Sequence, residues 1–141
     1  MSIKANLSSI KNSFYNSACL LIAVSKTQPS SAILEAYGAG IRDFGENKVQ
    51  ELTAKQAELP GDIRWHFIGH LQTNKVKYIA PFVHLIHGVD SWKLLLEIDK
   101  QAEKSGRVVS CLLQIHIAQE ETKLGLDRAE LMAILQNPEL Q

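Results

Sequence analysis

Short, continuous apolar runs recur at nearly regular intervals along this 141-residue chain and limit the folds open to it. Because the apolar residues do not alternate with polar ones, each run indicates a strand covered on both faces, as in a parallel sheet. The stretches between the runs carry apolar residues at helical spacing, which predicts amphipathic connecting helices. The runs are Leu20–Val24, Ile41–Phe44, Trp65–Ile68, Val83–Ile86 and Val108–Ile117.

The order of the runs predicts an α/β architecture of five strand–helix units, preceded by a helix over Ile3–Phe14. Two arrangements fit this order: a doubly wound open sheet, and part of a (β/α)8 barrel. No glycine-rich phosphate turn of the dinucleotide-binding type follows Val24, which weakens the open-sheet interpretation. We expect residues 1–141 to form one domain.

The net charge limits the kinds of partner that the chain is expected to bind, and the cysteine content indicates its cellular compartment. Fifteen Lys and Arg residues balance fifteen Asp and Glu residues, so we expect neither a nucleic-acid partner nor a membrane surface. Near-zero net charge also favours self-association. Cys19 and Cys111 lie in apolar runs and are predicted to be small buried residues. Two cysteines without a disulfide pattern or an export signal predict a cytoplasmic protein.

The residues that follow the strands are the first place to look for chemistry, because ligands of both architectures bind at the carboxyl ends of the strands. Lys26 directly follows the first apolar run. A lysine partly desolvated at a barrel mouth is a nucleophile that can form a Schiff base with an aldehyde. An ordinary lysine that emerges into water fits the same spacing, and spacing alone leaves both interpretations open.

Other polar residues after the strands predict helix caps, and histidines within the strands predict core positions. Asn47 and Asp90–Ser91 can cap helices, and free N–H groups at such helix starts would suit an anion such as a phosphate. Capping without any ligand is the commoner explanation for such residues. His66 and His116 are predicted to lie within strands three and five as satisfied barrel-lining side chains. No spacing typical of a metal site is present, so we expect no metal.

Three segments, read together, closely resemble one family, the pyridoxal phosphate homeostasis proteins. The resemblance continues in collinear order through His87–Asp90 and from Gln114 to Leu126. The three segments are Ala23–Pro29 (AVSKTQP), Phe44–Glu51 (FGENKVQE) and Trp65–Lys75 (WHFIGHLQTNK).

This resemblance implies a barrel of the alanine racemase N-terminal type that binds pyridoxal 5'-phosphate (PLP) as a Schiff base on Lys26. It implies that Asn47 and His66 lie near the cofactor. It also implies that Lys123 is the family's lysine in the loop after strand five. Proteins of this family are regarded as PLP carriers or regulators of vitamin B6 balance without established turnover.

The chain departs from the family pattern in two ways. His116 stands where the family usually has Asn, which adds bulk and a titratable ring. The family also continues through further βα units whose Gly- and Ser-rich turns hold the PLP phosphate, so we expect this chain to be incomplete at its C-terminus, with only five βα units. Strands one and five would then lack neighbours, which predicts self-association through the open barrel edges.

Two alternative functions stay open. A PLP-dependent amino-acid racemase would need an acid/base group on the opposite face of the cofactor, and Tyr15, Tyr37 and Tyr78 lie in segments predicted to be helical. A structural fragment that keeps the first half of the barrel but binds no cofactor is the other alternative, favoured by the missing phosphate turns.

Overall fold

The computed structural model describes residues 2–119 and 124–140, which form an α/β structure in which strands and helices alternate along the chain. Short 3-10 turns at Thr73–Lys75 and Pro138–Leu140 supplement these elements. The strands are β1 (Ala23–Val24), β2 (Asp43–Glu46), β3 (Arg64–Phe67), β4 (Leu85–Val89) and β5 (Ser110–Leu113). The helices are α1 (Ile3–Asn12), α2 (Ser30–Gly38), α3 (Val49–Glu58), α4 (Val76–Ile79), α5 (Trp92–Lys104) and α6 (Arg128–Leu135).

The five strands form one parallel sheet in the order β1-β2-β3-β4-β5. Each strand therefore lies beside the strand that precedes it in sequence. A doubly wound sheet requires the strand order to reverse at a switch point, whereas a (β/α)8 barrel adds its strands in sequence. The sheet order thus confirms the barrel-type fold, with the first five βα units and the N-terminal helix.

The hydrophobic core lies between one face of the sheet and the helices that cover it. Phe44 and Trp65 are register partners on β2 and β3, and their ring centroids lie 6.1 Å apart. Phe67 and Ile86 continue this layer, and Leu52 of α3 packs on it from the helix side. Because these side chains are almost completely buried, the sheet and its helices form one packed unit.

Strand five is shorter than predicted. The sequence predicts a strand over Val108–Ile117, but β5 spans Ser110–Leu113, so the placement of His116 within the strand is wrong. Within residues 2–119 and 124–140, β5 pairs only with β4, and the pairing shifts register between Ile86 and Val89. His116 lies beyond the strand, where its backbone N–H donates to the carbonyl of Leu126.

Two further predictions need correction. Cys111 is half-buried as an apolar residue should be, but Cys19 is exposed, because the segment before Ala23 is not part of the sheet. Asn47 does not cap α3, since Lys48 occupies the N-cap position and makes no side-chain cap. The cap predicted at Ser91 is confirmed, because its hydroxyl accepts from the Leu94 N–H. Within the described ranges, every helix is too short or too polar to cross a bilayer.

Candidate functional site

Lys26 lies in a tight turn at the carboxyl end of β1. The turn spans Ser25–Gln28 and is closed by a 3.0 Å hydrogen bond from the Gln28 N–H to the Ser25 carbonyl. Thr27 has a φ of 63°, a left-handed conformation that is costly for a β-branched residue. The side chain of Lys26 is exposed. The predicted partial desolvation is therefore absent, because β1 has a neighbour on one side only in the part of the chain that the structure describes.

Both neighbours of Lys26 in this turn are held by one buried polar network. The Ser25 hydroxyl donates to Oε1 of Glu46 at 2.6 Å, and the Thr27 N–H donates to Oε1 of Glu51 at 2.7 Å. Lys55 links the two carboxylates. Its ammonium donates to Glu46 Oε1 and Glu51 Oε1, each at 2.7 Å, and to the Ser25 carbonyl at 2.8 Å.

The charges of this network are largely removed from water. The side chains of Lys55 and Glu46 are 8% and 0% exposed. Oε2 of Glu46 is the buried side-chain polar atom that has no hydrogen-bond partner within the described ranges. The hydrogen bond from Lys55, aided by the Thr27 N–H, holds the pKa of Glu51 below its ordinary value despite partial burial. An ionised carboxylate thus faces the backbone of the lysine turn.

Asn47 lies at the same edge of the sheet as Lys26. Val24, the last residue of β1, pairs with Gly45 of β2, so Lys26 and Asn47, which follow these two strands, both lie at the carboxyl edge of the sheet. Asn47 packs against Gly69, where a Cβ atom would lie 2.4 Å from the Asn47 carbonyl oxygen. Only glycine allows this close approach of the two loops. An open cleft of about 280 Å³ lies beside Asn47.

His66 lies deeper in the sheet than Asn47. It pairs with Gly45, two residues before Asn47, which places it roughly 7 Å closer to the amino ends of the strands. Its ring is buried and both nitrogens have partners: Nδ1 lies 2.9 Å from His87 Nε2, and Nε2 lies 3.0 Å from Asp43 Oδ1. Its predicted placement within strand three is confirmed. Lys26 and Asn47 share one edge, whereas His66 belongs to a separate cluster.

This histidine cluster also brings together groups that the sequence spacing did not reveal. Asp43, His66 and His84 offer potential metal-ligand atoms within 4.8 Å of one another. Arg64 already binds the Asp43 carboxylate through two hydrogen bonds, so a metal ion would have to compete with it. Burial opposes ionisation of Asp43, but the bonds from Arg64 and His66 outweigh it and lower the pKa. The cluster could be predicted only from the register of neighbouring strands, because register brings these residues together.

Acidification is expected to destabilise the chain through His84 and His87. Burial, together with the nearby His66, lowers the pKa of both rings, so the unfolded chain binds more protons than the folded chain. The free energy of unfolding should therefore fall as the pH drops below about 6.5. This decline begins at a higher pH than the one at which carboxylates titrate. Urea unfolding at several pH values should show a shallower decline for His87→Gln. An equally steep decline in His87→Gln and in the wild-type chain would contradict this assignment.

Lys123, the remaining predicted site residue, lies outside the described residues. The carboxyl edge of the sheet, where Lys26 and Asn47 lie, continues across strands four and five. His70 Nδ1 lies 3.2 Å from Asp90 Oδ2, which connects the loops after β3 and β4. A Cβ atom on Gly88 would lie 3.0 Å from Oε1 of Gln114, so β4 and the residues after β5 are also in close contact. The described site is thus an exposed lysine on an anchored turn, with Asn47 at the same edge of the sheet.

Comparison with known families and proteins gives a consistent result. Residues 1–140 match the family model described as alanine racemase, N-terminal domain. The pyridoxal phosphate homeostasis protein of Aquifex aeolicus is 43% identical over 117 residues, which cover 82% of this chain and 51% of that protein. The human protein of the same name is 40% identical over 126 residues, covering 83% of this chain and 46% of its own length. The chain therefore spans about half the length of these curated relatives.

Two solved structures of PipY from Synechococcus elongatus are also similar. The form without PLP has a TM-score of 0.91 at 42% identity and covers 99% of this chain and 66% of PipY. The form with PLP bound has a TM-score of 0.87 at 44% identity and covers 99% and 64% of the two chains. The backbone described above is thus shared with a protein that binds PLP.

Proposed function

Because the chain belongs to the alanine racemase N-terminal domain family, we propose that it binds PLP and takes part in PLP (vitamin B6) homeostasis. The observation that carries this proposal is the exposed Lys26 on a turn held at the carboxyl end of β1. The names of the curated relatives and the PLP-bound form of PipY support it. Residues 1–141 would form one PLP-binding domain, and they include Lys26, the residue that would hold the cofactor.

Lys26 is proposed to hold PLP through a Schiff base. When bound, PLP supplies an aldehyde and an electron-withdrawing ring. The Lys26 amine would supply the nucleophile for the aldehyde carbon, so that a C=N bond would replace the C=O bond and the carbonyl oxygen would leave as water. The site residues present fit this chemistry because the amine is open to a ligand while the backbone on either side of it is anchored.

The other predicted site residues would act around this bond. Asn47, at the same edge, would offer an amide that can donate or accept hydrogen bonds. His66 would support the site from within the sheet, through its bonds to Asp43 and His87. A role for Lys123 rests on the family resemblance. We also propose a cytoplasmic location, which the free thiols of Cys19 and Cys111 support.

The test of PLP binding is a titration followed by absorbance, with borohydride reduction and peptide mass analysis. We expect a saturable visible band and, after reduction, a modification concentrated on the peptide that contains Lys26. Borohydride converts the C=N bond to a stable amine, so the site of attachment survives digestion. Modification spread evenly over exposed lysines would contradict the proposal.

Self-association is proposed to occur through the outer strands of the sheet. Among the described residues, β1 and β5 each pair on one side only, and both present exposed apolar side chains. These are Val24 of β1 and Leu112 of β5, which are 54% and 50% exposed. Unpaired edges with apolar side chains favour pairing with another chain. Light scattering should show assembly that increases with concentration and weakens in Leu112→Lys, whereas a uniform monomer would contradict the proposal.

A further inference from the structure

We propose that Lys55 and Glu51 are positioning residues for Lys26, acting through the turn that carries it. This inference rests on the proposed function, since it concerns how the PLP-binding lysine is presented. Neither residue follows a strand end, where sequence reasoning looks for chemistry. Both lie on α3, Glu51 in its first turn and Lys55 in its last.

The two side chains bind the backbone on both sides of Lys26. Lys55 donates to the carbonyl of Ser25, and Glu51 accepts from the N–H of Thr27. The peptide groups that flank Lys26 are therefore tied to α3, while its own side chain is exposed. A lysine on such an anchored turn loses less backbone freedom when it binds a ligand than one on a mobile loop.

The conformation of Thr27 gives a second reason to assign a positioning role. With a φ of 63° at the third position of the turn, it occupies a site that type II turns usually reserve for Gly or Asn. A threonine holds this conformation only where its surroundings enforce it. The Thr27 N–H donates to Glu51 Oε1, and this hydrogen bond supplies the restraint.

Joining α3 to the sheet through buried charges costs desolvation free energy. Apolar residues of similar volume often stabilise a core as well as a buried ion pair does. An apolar residue at position 55 could not donate to the Ser25 carbonyl or hold Glu51 beside Thr27. The arrangement therefore gives the turn a defined geometry that simple packing would not.

Glu51→Ala is the variant that tests this role, because the Glu51 side chain is 24% exposed and its loss should not prevent folding. Glu58→Ala is a matched control on the same helix, where the carboxylate accepts from Ser30 Oγ at 3.2 Å instead of contacting the lysine turn. Glu51→Gln is the rescue variant, since its amide oxygen can still accept from the Thr27 N–H.

Two readouts separate positioning from a general structural role. The first is hydrogen exchange of the Thr27 amide without PLP, which we expect to accelerate about tenfold in Glu51→Ala through the lost hydrogen bond. The second is the PLP concentration that half-saturates the borohydride-trapped Lys26 adduct, which should rise by a similar factor of about ten. Glu51→Gln should restore most of both properties, and Glu58→Ala should match wild type.

The outcomes distinguish this inference from the proposed function. If the wild-type chain forms no Lys26 adduct, the proposed function fails and the positioning role falls with it. If the wild-type chain forms the adduct but Glu51→Ala binds PLP as wild type does, only the positioning role is overturned. Unchanged exchange of the Thr27 amide in Glu51→Ala would overturn it as well.

Discussion

Replacing Lys26 with alanine is expected to abolish the saturable PLP absorbance band and the borohydride-trapped adduct completely. The physical reason is that a Schiff base requires a primary amine, and alanine has none. Lys26→Arg should lose the band as well, because it keeps the positive charge without a nucleophilic amine. The measurement is an absorbance titration with PLP, followed by reduction and peptide mass analysis.

A matched lysine elsewhere on the surface serves as the control for this loss. Lys100 is exposed on α5, away from the carboxyl ends of the strands, and Lys100→Ala should leave the band at its wild-type intensity. Weak, non-saturating adducts on exposed lysines should be equal in all variants. A saturable band that survives in Lys26→Ala would show that another amine holds the cofactor, and the proposed site would be wrong.

Replacing Lys55 with methionine is expected to lower the free energy of unfolding by about 3–5 kcal/mol. The variant fills a similar volume but leaves the carboxylate of Glu46, whose side chain is 0% exposed, without its cation. It also removes the donor to the Ser25 carbonyl. Urea denaturation followed by circular dichroism measures the change, which should appear as a lower midpoint with a similar slope.

The double variant Glu46→Gln with Lys55→Met tests the cause of that loss. With the buried charge removed from both positions, we expect it to recover a substantial part of the lost stability, since the main cost of the single variant is an unpaired charge. Lys100→Met on the exposed face of α5 should stay within about 0.5 kcal/mol of wild type. A Lys55→Met variant as stable as Lys100→Met would contradict the buried network.

The course of the chain through strands and helices could be predicted from the sequence because burial on both faces leaves a local pattern. Ala23–Val24 and Trp65–Phe67 are apolar or buried over their whole length, and the predicted runs contain them. Strand bounds were harder to predict at the edges. The run Val108–Ile117 is longer than β5, because pairing with a neighbour, rather than apolar content, decides where a strand ends.

The site was only partly predictable. Lys26 could be singled out because it follows an apolar strand, and Asn47 because it follows the next one. The exposure of Lys26 was predicted wrongly, since it depends on what covers β1 from the other side. Lys55 was missed altogether, because a lysine on an amphipathic helix has the same local pattern whether it points to water or to a buried glutamate.

The amino-acid pattern by itself determined the alternation of strands and helices, the parallel sheet and the lysine at the end of the first strand, because each depends on neighbours in the chain. Tertiary structure alone decided which groups meet across the sheet. The contact of Lys55 with Ser25 joins residues 30 positions apart, and that of His66 with Asp43 joins residues 23 apart. Such contacts follow from strand register and helix packing, which no local sequence pattern encodes.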